Sequence, residues 1–171
     1  MTWKEGRQTP DTALMRFVAR RFAAQQALML DIGSGEGANA RELADRGFNV
    51  VTVDKDPETS AKIHKDVCDL EFGSPLFDLI YDINTLCHVK NPPFEKIRSW
   101  LKPKTGIFFS IWPTHEAPDY ICEGKEYTCR IHVWALREML EPHFSKVIID
   151  ERMEPDFRDE YLYSWIVEAK P

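Results

Sequence analysis

No stretch of the chain approaches the roughly 18 consecutive apolar residues of a membrane-spanning helix. The first residues are charged and interrupted by Pro10, where a secretory leader has an apolar core. Cysteine is sparse and unpatterned: Cys68, Cys87, Cys122 and Cys129 form no paired framework. That sets aside a disulfide scaffold and leaves the reading of reduced thiols in a cytoplasmic protein. His115, Cys122, Cys129 and His132 match neither C-x-x-C nor H-x-H spacing, so no metal is expected. Positive charge is not in excess either. Lys and Arg number 22 against 28 Asp and Glu, a formal charge of −6, which is the wrong sign for a general grip on nucleic-acid phosphates. The one basic cluster, Lys4, Arg7, Arg16, Arg20 and Arg21, reads as a solvated helix face. Repeats and low-complexity segments are absent, and 171 residues fit one domain with a real core.

Glycine is also scarce, yet three of the eight fall within residues 33–37. They follow a short apolar run, Leu28 to Ile32, broken only by Asp31, and they precede a helical pattern through Ala40, Leu43 and Ala44 that stops at Gly47. A buried strand therefore runs into a loop without Cβ atoms and on into a helix N-terminus, the arrangement of a nucleotide-type cleft. Gly33, Gly35 and Ala38 also satisfy the dinucleotide pattern G-x-G-x-x-G/A, which keeps an NAD-dependent oxidoreductase in view. Against it, Asp31 stands two residues before the first glycine, awkward beside a pyrophosphate and useful beside a cation. The chain also offers no convincing acid/base arrangement for a nicotinamide.

The next apolar run, residues 48–54, is β-branched and ends in Asp54, one βαβ repeat after Asp31. Two carboxylate oxygens there suit the two vicinal hydroxyls of a ribose. Pro57 is expected to open a short helix over 56–61, and a third strand is expected in 62–65. Residues 77–84 form a fourth strand whose exit, Asp82, Ile83 and Asn84, falls where parallel sheets bind ligands. Helices are expected over 11–24, 92–101 and 133–144, with further strands at 107–112, 146–150 and 161–169. Residues 113–132 carry few periodic signals, and a loop of that length is often functional. Residues 151–160 read as an acidic, solvated connector. The alternation of strands and helices gives a doubly wound α/β sheet.

Residues 31–37, Asp-Ile-Gly-Ser-Gly-Glu-Gly, resemble motif I of the class I S-adenosylmethionine (SAM) dependent methyltransferases, D/E-x-G-x-G-x-G. The resemblance extends over nearly the whole chain from Leu28. It implies a Rossmann-like sheet of about seven mostly parallel strands, the last antiparallel, with helices on both faces. It also implies SAM as cofactor and S-adenosylhomocysteine as product. Asp31 with Gly33, Ser34, Gly35 and Gly37 would hold the amino-acid end of SAM. Asp54, with Lys55 beside it, would take the ribose, and Asp66 with Val67 the adenine, with Asp69 the nearest rival to Asp66. Phe-Asp-Leu-Ile (residues 77–80) resembles the family's fourth-strand entry, where the Asp serves structure. Leu-Cys-His-Val (residues 86–89) resembles its Leu-His-His-Leu helix start. Asp82 is expected near the methyl group. Asp82, His88 and His115 are candidates for a general base, needed only if the acceptor is protonated and weakly nucleophilic. For His88, a buried, hydrogen-bonded ring is the stronger reading.

Residues 1–26 would form a lead-in and helix near the cleft, and 113–132 an acceptor-side loop. Gly-Glu-Gly-Ala-Asn-Ala and the Leu-Ala-Asp-Arg-Gly-Phe-Asn-Val stretch also look like the thiopurine and tellurite-resistance branch. The acceptor is expected to be a small molecule. A SAM-binding protein without transferase activity, and a methyltransferase acting on tRNA or protein, remain alternatives. Oligomeric state is not legible.

Overall fold

The computed structural model describes residues 9–22, 27–114, 120–122, 125–127, 131–155 and 161–171. A seven-stranded sheet is its centre, in the spatial order β3-β2-β1-β4-β5-β9-β8. Here β1 is Leu28–Ile32, β2 Asn49–Asp54, β3 Ile63–His64, β4 Leu79–Ile83 and β5 Ile107–Pro113. Strands β6 (Tyr120–Cys122) and β7 (Lys125–Tyr127) form a separate antiparallel pair. Strands β8 (Lys146–Pro155) and β9 (Tyr161–Lys170) complete the main sheet. The pairs among β1 to β5 are all parallel, whereas β9 lies antiparallel to both β5 and β8. The chain thus winds outward from β1 to β3, returns, and continues from β4 on the other side. The change of winding direction falls between β1 and β4, which opens a crevice at their carboxyl ends.

Side-chain alternation divides the core into two layers. On one face, Met29 of β1, Leu79 and Tyr81 of β4, and Ile107, Phe109 and Ile111 of β5 pack beneath α1 (Thr12–Arg21) and α2 (Ala38–Asp45). On the other, Leu30, Ile32, Ile80, Phe108 and Trp112 pack with residues of α3 (Phe94–Trp100) and α4 (Val133–Leu140). Both faces of β1, β4 and β5 are covered, which explains their near-continuous apolar runs. Helix α1 begins where Asp11 accepts hydrogen bonds from the Ala13 and Leu14 amides at 2.9 and 3.0 Å, an N-cap. Its Leu14, Met15 and Val18 are buried, and Phe17 lies 4.7 Å from Phe109, ring centre to ring centre.

Four expectations need correction. Residues 56–61 form a turn and bends rather than a helix. The Asp54 and Asp56 carboxylates accept from the amides of Asp56 and Glu58, both at 2.9 Å, and such side-chain bonds compete with helical ones. The stretch 151–160 is not all connector: β8 continues to Pro155 and β9 begins at Tyr161, so the terminal hairpin is longer than its acidity suggested. Charged residues there belong to an edge strand, where charge discourages pairing with other chains. Within 113–132, residues 120–122 and 125–127 pair as a hairpin. The helix expected to reach 144 stops at Leu140, two residues before Pro142. Asp78 serves structure as expected: Oδ2 accepts the Leu28 amide at 2.9 Å, and Lys102 Nζ donates to both oxygens at 2.8 and 2.9 Å.

Candidate cofactor site

The loop after β1 is tied to the end of β2. The amides of Gly33 and Ser34 both donate to the Val53 carbonyl, at 2.8 and 3.0 Å, and the Gly37 amide donates to the Ser34 carbonyl at 2.9 Å. Gly33, Gly35 and Gly37 have φ of +70°, +51° and +76°, the left-handed region where a Cβ is costly. Gly33 has a second reason to be glycine. A Cβ there would lie 2.0 Å from Thr85 Oγ1, because the turn after β4 is packed against the loop.

Asp54 joins the loop to β2. Its Oδ2 accepts the Gly35 amide and its Oδ1 the Asp56 amide, each at 2.9 Å. The carboxylate is half-buried, and each oxygen keeps further acceptor capacity. Asp66 sits just past β3 on the neighbouring path, since the Lys65 amide donates to the Asp54 carbonyl at 3.0 Å. Asp66 Oδ1 caps the short 3-10 turn Val67–Asp69 by accepting from the Cys68 amide at 2.9 Å. Val67 is buried, while Lys55 and Asp69 are exposed. The exposed Cys68 thiol is pushed up by desolvation and then by Asp66.

Asp31 is 2% exposed, in register with Thr52 of β2 and Tyr81 of β4. Burial pushes its carboxyl up to about 8, with smaller upward contributions from Asp82 and Asp54; the nearby Tyr81 hydroxyl offsets part of the rise. Burial, followed by Asp31, raises the Tyr81 hydroxyl well above its ordinary range. Among the described residues, neither Asp31 Oδ2 nor Tyr81 Oη has a hydrogen bond of ordinary geometry, and Ser34 Oγ is likewise buried without one. These three atoms belong to β1, its loop and the adjoining strand. Buried polar atoms are normally satisfied, so this group is suited to a ligand that brings donors and positive charge. The ammonium and sulfonium of SAM have that chemistry, and the residues present fit the cofactor.

Asp82 faces the opposite side of the sheet from Asp31 and is fully buried. Its Oδ1 accepts the Thr85 and Leu86 amides at 2.8 and 2.9 Å, and Ser110 Oγ donates to its Oδ2 at 2.6 Å. Burial raises the carboxyl to about 6 against the lowering effect of those bonds, Ser110 first. His88, on the 3-10 turn Leu86–His88, is exposed rather than buried, contrary to the stronger sequence reading. His115 lies outside the described residues. Thr85, Tyr81 and Ser110 were not singled out in the sequence. Tyr81 and Ser110 acquire meaning only from strand register, which local pattern does not reveal.

A doubly wound seven-stranded sheet, a left-handed glycine loop after β1 and an acidic residue ending β2 define the class I SAM-dependent methyltransferase architecture. Comparison with protein families matches residues 3–150 to one described as a methyltransferase domain, and the chain belongs to that family. The match does not select the thiopurine and tellurite-resistance branch. Comparison with curated proteins found no match.

Among solved structures, a Haemonchus contortus phosphoethanolamine N-methyltransferase 2 in complex with SAM is 20% identical with a TM-score of 0.72, covering 99% of this chain and 55% of that one. The present chain therefore spans about half the length of that protein. A SAM-dependent methyltransferase from Methanosarcina mazei is 14% identical with a TM-score of 0.73, covering 90% of this chain and 96% of its own. The Burkholderia thailandensis 1,6-didemethyltoxoflavin-N1-methyltransferase, with bound 1,6-didemethyltoxoflavin and S-adenosylhomocysteine, is 20% identical with a TM-score of 0.71, covering 92% and 75%. At such identities the likeness is one of fold. Among the described residues, no helix is long and apolar enough to cross a membrane.

Proposed function

We propose that the domain binds SAM over the carboxyl ends of β1, β2 and β4 and methylates a small-molecule acceptor. The observation that carries this reading is the buried Asp31 carboxyl with its unpartnered Oδ2, set beside a loop whose glycines leave the backbone open. A cation next to Asp31 favours its ionised form and recovers part of the cost of burial. Ser34 Oγ suits the amino-acid end of the cofactor. Asp54 has acceptor capacity for two ribose hydroxyls, Lys55 flanks it, and Asp66 with the Val67 backbone would read the adenine edge. When bound, SAM supplies a methyl group on a sulfonium that is already a good leaving group. The protein's part is then largely orientation of the two reactants and exclusion of water.

A small acceptor is favoured by the charge of −6 and by the basic side chains of α1. Among these, Arg16 and Arg20 are exposed and Arg21 pairs with Glu168 at 3.0 Å. We read those side chains as a solvated helix face. His88, exposed on the turn after β4, is a candidate base for an acceptor that needs one, and His115 is another on sequence grounds alone.

Calorimetric titration with SAM, S-adenosylhomocysteine and NAD tests the cofactor. Binding of both adenosyl ligands with NAD silent is expected, and binding of NAD alone would overturn the reading. Release of S-adenosylhomocysteine in a screen of small amines, thiols and hydroxyl compounds then tests transfer. SAM binding without turnover of any acceptor, but with turnover of tRNA or protein, would overturn the small-molecule assignment.

A further inference from the structure

The turn after β4 touches the cofactor loop at Gly33. Thr85 side-chain atoms occupy the space 2.0 to 2.6 Å from where a Gly33 Cβ would be, and Thr85 Oγ1 lies 3.5 Å from the Gly33 carbonyl oxygen. The position of Thr85 therefore limits where the Gly33 backbone can run. The turn is itself strained: Asn84 has φ of 55°, with its amide held by the Ile111 carbonyl at 3.0 Å. Asp82 holds it from beneath through the Thr85 and Leu86 amides, and Ser110, the register neighbour of Asp82 on β5, anchors the carboxylate from behind. Apart from these bonds, the fully buried carboxylate is desolvated at a cost that an apolar residue would avoid.

We propose that Asp82, anchored by Ser110, is a positioning residue: it fixes the β4-exit turn so that Thr85 sets the conformation of the cofactor loop at Gly33. In this proposal Asp82 acts indirectly, through the Thr85 and Leu86 amides, rather than by meeting the methyl group. The functional consequence of this role rests on the SAM-binding reading above; the structural consequence does not.

The test compares Asp82→Ala, Asp82→Asn, Ser110→Ala and, as a control on another element, Leu140→Ala of α4, each with the wild type. Two readouts are taken: amide hydrogen exchange of residues 33–37 without ligand, and S-adenosylhomocysteine affinity by calorimetry. Asp82→Ala is expected to speed exchange in the loop and weaken affinity about tenfold or more. Asp82→Asn keeps an oxygen for the two amides and an NH₂ for Ser110, so it should restore affinity to within about threefold of wild type. Ser110→Ala should lie between them and supplies the answer if Asp82→Ala does not fold. Leu140→Ala is expected to lower the melting temperature while leaving loop exchange and affinity at wild-type values. Wild-type loop exchange in folded Ser110→Ala and Asp82→Ala would overturn the positioning role. Failure of the wild type to bind S-adenosylhomocysteine and SAM would instead overturn the cofactor reading, with the exchange data still judging the clamp.

Discussion

Arg152 on β8 reaches Asp11 at the head of α1, its Nη1 lying 3.1 and 3.0 Å from the two carboxylate oxygens, with each side chain only 16% exposed. Asp11 also caps α1, and its own amide donates to Asn39 Oδ1 of α2 at 2.7 Å. One residue thus joins the first helix, the helix that follows the glycine loop, and the strand beyond β9. Arg152→Ala is expected to cost about 1–2 kcal/mol in urea unfolding, above the usual value for an exposed pair because this one is partly shielded. Asp11→Ala should cost about 1 kcal/mol more, because the cap is lost as well. Asp11→Asn keeps the cap without the charge and should match Arg152→Ala. A double-mutant cycle gives the coupling directly. Values within error of zero for all three would mean that the pair contributes nothing.

Glycine at 33 and at 35 should differ in kind. Both have positive φ, but a Cβ at 33 meets Thr85 while a Cβ at 35 meets open space. Gly35→Ala should lower stability by about 1–2 kcal/mol, the ordinary strain of a left-handed alanine, and lower SAM affinity where the ligand approaches the loop. Gly33→Ala should be the more destabilising of the two in thermal melts, because either the loop or the β4-exit turn must move. Equal melting temperatures would show that the turn yields freely.

Much of the fold was legible because its signals are local. The apolar runs of β1, β4 and β5, the glycine triplet and the acidic end of β2 are each written in consecutive residues. What was missed depends on partners far along the chain or on competition within a turn. The Pro57 signal for a helix was outweighed by two Asx-type bonds at Asp54 and Asp56. The Asp11–Arg152 pair spans 141 positions, and Asp82 finds Ser110 only through the register of two strands. Asp82 drew attention as an acid at a strand exit, and strand register sets its side chain against Ser110.

Asp54→Ala removes an acceptor for the Gly35 amide together with the carboxylate proposed for the ribose. The fold should survive, with a loss of about 1–2 kcal/mol from the two amide bonds, while SAM affinity falls about a hundredfold or more. Asp54→Asn should fall between the two, since one oxygen remains. Calorimetry on the folded variants measures this, and unchanged affinity would remove Asp54 from the site.

The raised pKa of Asp31 links ligand binding to pH. Its folded value of about 8 lies above the ordinary 3.8, so the unliganded folded protein holds a proton that the unfolded chain releases. Sign follows: the stability from this group is fully present below about pH 4 and is lost as pH rises through 8. Asp82, raised to about 6 by burial, adds the same trend over a lower window, complete near that value. Binding a cation beside Asp31 favours the carboxylate, so SAM binding at pH 7 should release a proton, and affinity should climb between about pH 6 and 8. Titration in two buffers of different ionisation enthalpy counts that proton. Asp31→Asn should abolish the release and flatten the pH dependence of affinity, while leaving the lower-pH stability trend from Asp82 in place. Proton uptake on binding, or none at all in the wild type, would mean that the cofactor's positive charge does not lie against Asp31.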